Sequence, residues 1–137
     1  MVDILNILGT DIETSIIDSI ADTKSELVGL DTLGTCRIYS DYVSNNLNKR
    51  RVLNKTIDTG DFDYPYEHRF VLVPDKKSYY LIDMTYDQFH NDEFSDLLDK
   101  GYLLVDDELF NRYLEIVGQE KRNTSIDSMF TERVKSK

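Results

Sequence analysis

Two runs of strand-forming residues, His68-Arg69-Phe70-Val71-Leu72-Val73 and Ser78-Tyr79-Tyr80-Leu81-Ile82-Asp83, flank the turn formers Pro74-Asp75-Lys76-Lys77 and constrain the fold more than any other feature. β-Branched and aromatic residues on both sides of a Pro-Asp turn predict a β-hairpin. A loop of Asp75-Lys76, or of Pro74 to Lys77, sets Val73 opposite Ser78, Val71 opposite Tyr80 and His68 opposite Asp83. Directly opposed residues have Cβ atoms about 4.5–5.5 Å apart, close enough for a carboxylate to accept from an imidazole N–H.

Helical periodicities surround the hairpin. From Asp3 to Lys24, Ile4, Leu8, Ile12, Ile16 and Ile20 recur every four residues, which predicts one amphipathic helix, or two broken near Gly9. Leu27 to Gly34 reads as a loop or short helix. From Cys36 the row Tyr39, Val43, Leu47 predicts a second helix, with Thr35 in the N-cap position and Lys49-Arg50 at its end. Asn54 to Glu67 reads as a long surface loop. After the hairpin, Phe94, Leu97 and Leu98 suggest a short helix, Tyr102 to Val105 a strand, and Leu109 to Val117 a helix capped by Asp106 or Asp107 and stopped by Gly118. The fold class is therefore α+β. At 137 residues the chain fits one domain, expected over residues 1–118, with 119–137 a frayed tail or lightly docked turn.

Composition removes several classes of function. The formal charge of −10 argues against general affinity for nucleic acid or an anionic membrane. No stretch approaches the roughly 18 apolar residues of a membrane helix, and the N-terminus lacks a basic leader. The chain is expected to be soluble and cytoplasmic where it is made, with export as an effector by a machinery that reads other features left open. The cluster Lys49, Arg50, Arg51 and Lys55 reads first as charge complementing a helix C-terminus. A single cysteine excludes an internal disulfide and a Cys/His zinc cluster. Nucleotide, zinc and calcium motifs are missing, so no cofactor or metal is expected.

That cysteine, Cys36, is the candidate nucleophile. In the first turn of a helix a thiol lies near unpaired N–H groups and the positive end of the dipole, which favour the thiolate. Its own backbone N–H is a candidate oxyanion donor. His68 would hold and return the proton, and Asp83 would orient the imidazole. Each residue also has an ordinary reading: Cys36 as packing, His68 as a polar strand start, Asp83 as an Asx-turn residue before Thr85. His90, in a polar loop, is the competing imidazole.

The segment His68 to Phe89 resembles the His-strand-turn-strand-Asp element of papain-like and transglutaminase-like cysteine enzymes. Its ending, Ile82-Asp83-Met84-Thr85-Tyr86-Asp87-Gln88-Phe89, is similar to that of papain-fold toxin and effector domains, bacterial protein glutamine deamidases among them. Gly34-Thr35-Cys36 resembles their nucleophile-bearing helix start. The resemblance implies N-terminal helices packed on a small antiparallel sheet, and Cys36, His68 and Asp83 as nucleophile, base and orienter. It implies a hydrolase of protein amides, by preference a glutamine deamidase, with protease and transglutaminase as alternatives. A non-catalytic acidic interaction or inhibitor protein is the reading from another class. The Gln that papain-like enzymes place before the cysteine is missing here, which leaves Thr32, Thr35, Gln88 or a backbone N–H as the second oxyanion donor.

Overall fold

A computed structural model describes residues 11–31, 34–89 and 92–132 of the chain. The elements run α1 (Ile12–Glu26), α2 (Cys36–Lys49), β1 (Lys55–Asp58), a 3₁₀ turn (Thr59–Phe62), β2 (Arg69–Asp75), β3 (Ser78–Ile82), a second 3₁₀ turn (Tyr86–Phe89), α3 (Asp92–Leu97), β4 (Tyr102–Val105), α4 (Asp107–Val117) and α5 (Ile126–Thr131). The strands form one antiparallel sheet in the order β1-β2-β3-β4. The chain is thus α+β, helices against a small four-stranded meander.

Both faces of the sheet are covered, and alternation along β2 and β3 assigns side chains to them. Val71, Val73 and Ile82 pack under α1 and α2 against Ile16, Ile20, Val43 and Leu47. Phe70, Leu72, Tyr79 and Leu81 face the other way, against Phe94, Phe110, Tyr113, Leu114, Val117, Ile126 and Met129 from α3, α4 and α5. This is why β2 carries four consecutive buried residues where a half-exposed strand would alternate. Tyr79 and Tyr80 take opposite faces, as the alternation predicts.

The hairpin forms with a different register. Val73 lies opposite Tyr80 and Asp75 opposite Ser78, two residues along from the expected pairing. Lys76, at φ 59°, starts the turn, while Pro74 and Asp75 stay in β2. Proline is tolerated there because β1 pairs no further than Leu72, so Pro74 is on an edge. A shift of two keeps every side chain on its expected face; a shift of one would have reversed them all.

Two other expectations are corrected. Residues 54–67 are not a surface loop: they contain β1, and Ile57, Asp58, Thr59 and Tyr64 are buried. The sequence stretch is polar because β1 is short and its neighbours turn their polarity inward: Thr59 and Asp58 bond backbone and arginine partners. Of the segment expected to be a frayed tail or a lightly docked turn, the described residues 119–132 are docked. Ile126 and Met129 are buried in the main core, and Lys55 Nζ donates to the carbonyls of Met129, Phe130 and Glu132 at the end of α5. Arg50 of the same basic cluster pairs with Asp22 at 2.6 Å. Of the predicted N-terminal helix, the part before Asp11 lies outside the described residues, as does His90.

Candidate active site

The end of β1, the start of β2, the end of β3 and the start of β4 share one end of the sheet, and α2 begins there. His68 immediately precedes β2 and is fixed by its backbone. Its N–H donates to Thr59 Oγ1 at 2.7 Å, and its carbonyl accepts from Thr59 N–H at 2.9 Å. Asp83 immediately follows β3, its N–H donating to the Gly101 carbonyl at 2.9 Å. Gly101 has φ 91°, a conformation that glycine adopts without steric cost.

His68 Nε2 lies 2.8 Å from Asp83 Oδ2. Continued past the strand ends, the observed register would set His68 across from Thr85, so the two side chains meet on the diagonal of the same face. Both are almost fully buried, at 1% and 3% exposure. A carboxylate only accepts, so Nε2 carries the hydrogen of this bond and Nδ1 is the nitrogen left to exchange a proton with the thiol.

Asp83 is saturated with donors. Thr85 N–H and Thr85 Oγ1 donate to Oδ1 at 3.0 and 3.2 Å, and the Tyr113 hydroxyl donates to Oδ2 at 2.6 Å. Asp83 is therefore an Asx-turn residue and the partner of His68 at once. Burial alone would raise its pKa, but the charge and hydrogen bond of His68 and the bond from Tyr113 hold it below the usual 3.8. Phe89 stands edge-on to the imidazole, ring centres 4.7 Å apart, and Tyr66 packs on Phe89.

Cys36 is the first residue of α2 and half-buried. The His68 imidazole and the backbone N–H of Arg69 are the electrostatic neighbours of its thiol. Burial pushes the thiol up, but the neighbouring imidazole and the Arg69 N–H bring it below its ordinary 9.0. Desolvation works against the charged form of His68 too, yet Asp83 and Cys36 outweigh it and raise its pKa from 6.5 to about 9. Both shifts run toward a thiolate–imidazolium pair and away from the neutral thiol and imidazole.

Two arginines tie α2 to the sheet. Arg37 pairs with Glu67 at 3.2 Å and Asp58 at 3.6 Å, and Arg69 pairs with Asp58 and Asp41, each at 3.3 Å. Buried Asp58 thus joins the residue after the cysteine to the first residue of β2. Two candidate oxyanion side chains are committed elsewhere: Thr35 Oγ1 donates to the Asp31 carbonyl at 2.6 Å, and Gln88 Nε2 to the Thr85 carbonyl at 3.1 Å. Thr32 lies outside the described residues. The α2 backbone N–H groups are the donors left beside the sulfur.

The structure therefore brings together the three residues singled out in the sequence. Sequence reasoning missed Tyr113, which reads only as one more apolar position on its helix, and Asp58, hidden in the segment taken for a loop. No family model, curated protein or solved structure matches the chain.

Proposed function

We propose that this protein is a cysteine-dependent hydrolase of protein amides, with Cys36 as nucleophile, His68 as general acid and base, and Asp83 as orienter. The observation that carries the reading is the buried 2.8 Å pair of His68 and Asp83, with a half-exposed thiol in electrostatic reach of the same imidazole. Ordinary packing would account for a buried cysteine, but not for one held in reach of an imidazole that is itself oriented by a carboxylate.

In the first half-reaction the Cys36 thiolate attacks the amide carbon, forming a C–S bond and an oxyanion that faces the N–H groups of the α2 start. The imidazolium gives its Nδ1 proton to the amide nitrogen, the C–N bond breaks and the amine leaves, giving a thioester. Water then attacks the thioester carbon while His68 takes its proton. The C–S bond breaks, releasing the acid and restoring the thiolate–imidazolium pair. Asp83 stays ionised throughout, keeping the hydrogen on Nε2.

The order of helix-start cysteine, strand-start histidine and strand-end aspartate supports a papain-like arrangement. Among amides, a glutamine side chain on a folded protein is the substrate we favour, since a surface of net charge −10 suits one basic partner better than a succession of extended chains. The leaving group is then ammonia and the product glutamate.

The test is the reactivity of the thiol. Alkylation of Cys36 followed against pH should show a midpoint well below that of a free cysteine, about 8.5; a midpoint at that value, or no reaction in the folded protein, sinks the reading. Mass spectrometry of basic proteins incubated with the enzyme then separates an amide turned to acid from a cut chain.

A further inference from the structure

We infer that Tyr113 is a positioning residue of this site: its hydroxyl donates to the Asp83 oxygen that pairs with His68, fixing the carboxylate and drawing off part of its charge. The inference rests on the proposed triad and adds a fourth member to it.

The geometry is specific. Tyr113 comes from α4, across the core from the strand ends that carry the other two groups, and its bond to Oδ2 is 2.6 Å against 2.8 Å for His68. The ring is fully buried, edge-on to Phe70 at 5.2 Å and to Phe94 at 6.0 Å. In such surroundings phenylalanine would pack as well, and a buried hydroxyl is costly unless it is bonded. Asp83 is the partner that accounts for it.

Sharing one oxygen has a consequence for the base. The phenol stabilises the Asp83 anion most when His68 is neutral and the carboxylate has no other counter-charge, and less when the imidazolium already compensates it. It therefore opposes protonation of His68 and restrains a base that Asp83 and Cys36 would otherwise make still stronger. The titratable groups facing the pair are Cys36 from α2, Tyr113 from α4 and Tyr86 from the turn after β3. Tyr86 supplies the matched control: it is buried in the same aromatic cluster, and the described residues give its hydroxyl no hydrogen-bond partner.

The experiment is a pH titration of the His68 imidazole nitrogens by NMR in the full chain, with His90→Gln used to assign the signals. Tyr113→Phe should raise the His68 midpoint by roughly one pH unit, while Tyr86→Phe leaves it in place. An unmoved or lowered midpoint in Tyr113→Phe, or the same shift in both variants, overturns the inference. Should Tyr113→Phe fail to fold, fluorotyrosine incorporated into the wild-type chain makes the phenol a stronger donor and should lower the midpoint; no change or a rise overturns it. Alkylation of Cys36 in the same samples keeps the two readings apart. An ordinary thiol in wild type overturns the proposed function, and the role of Tyr113 in it. A perturbed thiol with His68 indifferent to Tyr113→Phe overturns Tyr113 alone.

Discussion

Helices α4 and α2 start in opposite ways. At α4 the Asp106 carboxylate accepts from Leu109 N–H at 2.8 Å, and Asp107 and Glu108 follow in the first turn. At α2 the Thr35 side chain makes no capping bond, the first turn holds no acid, and the second residue is Arg37, a cation where the dipole disfavours one. Helices α1 and α5 are capped by Asp11 and Ser125 in the manner of α4. A chain with 26 acidic residues withholds them from the one of these four helix starts that carries its cysteine. The difference fits the proposed division of labour, in which α4 is finished for stability and α2 leaves its positive end open for a thiolate.

The sharpest way to break this contrast is at the thiol and its base. Cys36→Ala should abolish alkylation and the proposed hydrolase activity while thermal unfolding stays close to wild type, since a half-buried thiol contributes little packing. His68→Ala should lower activity by about 10³-fold or more and return the alkylation midpoint to about 8.5. Alkylation that is unchanged in His68→Ala would make α2 an ordinary helix with an incidental cysteine.

A second expected effect is on stability against pH. His68 has its value raised from 6.5 to about 9 in the folded protein, so its contribution is complete below 6.5 and is lost as pH rises through about 9. Asp83 has the opposite sign: its contribution is present above 3.8 and lost as pH falls through its lower folded value. The thiol, held below 9.0, contributes fully only above that value. Urea unfolding of wild type and His68→Gln should therefore differ more at pH 6 than at pH 10, and an equal difference at both would deny the ion pair.

What the sequence revealed divides along the same line. The α2 start was legible because the row Tyr39, Val43, Leu47 follows Cys36, and the α4 start, to within Asp106 or Asp107, because acids precede its apolar positions. His68 and Asp83 were found through a register that the structure replaces, and the pairing survived because the change was by two residues and kept both on one face. Strand β1 was illegible, since Lys55-Thr56-Ile57-Asp58 has no alternation long enough to stand out from a polar stretch. Tyr113 could not be told from a core residue, because its partner lies 30 positions away and the helical period marks only its face. The docking of residues 119–132 was hidden for a related reason: Arg122 holds the loop before His68 by donating to the Phe62 and Asp63 carbonyls, and its ring contact with Tyr64 has no sequence signature.

The smallest effects come from exchanging the two helix starts. Asp106→Ala should cost about 1 kcal/mol of stability, within the usual range for a lost N-cap, and leave the alkylation of Cys36 as it is. Thr35→Asp should do the reverse at α2. A carboxylate in the cap position can accept the orphan N–H groups and complement the dipole, adding about 0.5 kcal/mol by urea unfolding. It also sets a negative charge beside the sulfur and occupies donors that would face the oxyanion, so alkylation at neutral pH should slow by roughly threefold, a few tenths of a pH unit in the midpoint. Stability and reactivity would then move in opposite directions through one side chain. A Thr35→Asp protein that is both more stable and equally reactive would show that the open start of α2 serves neither the thiolate nor the reaction.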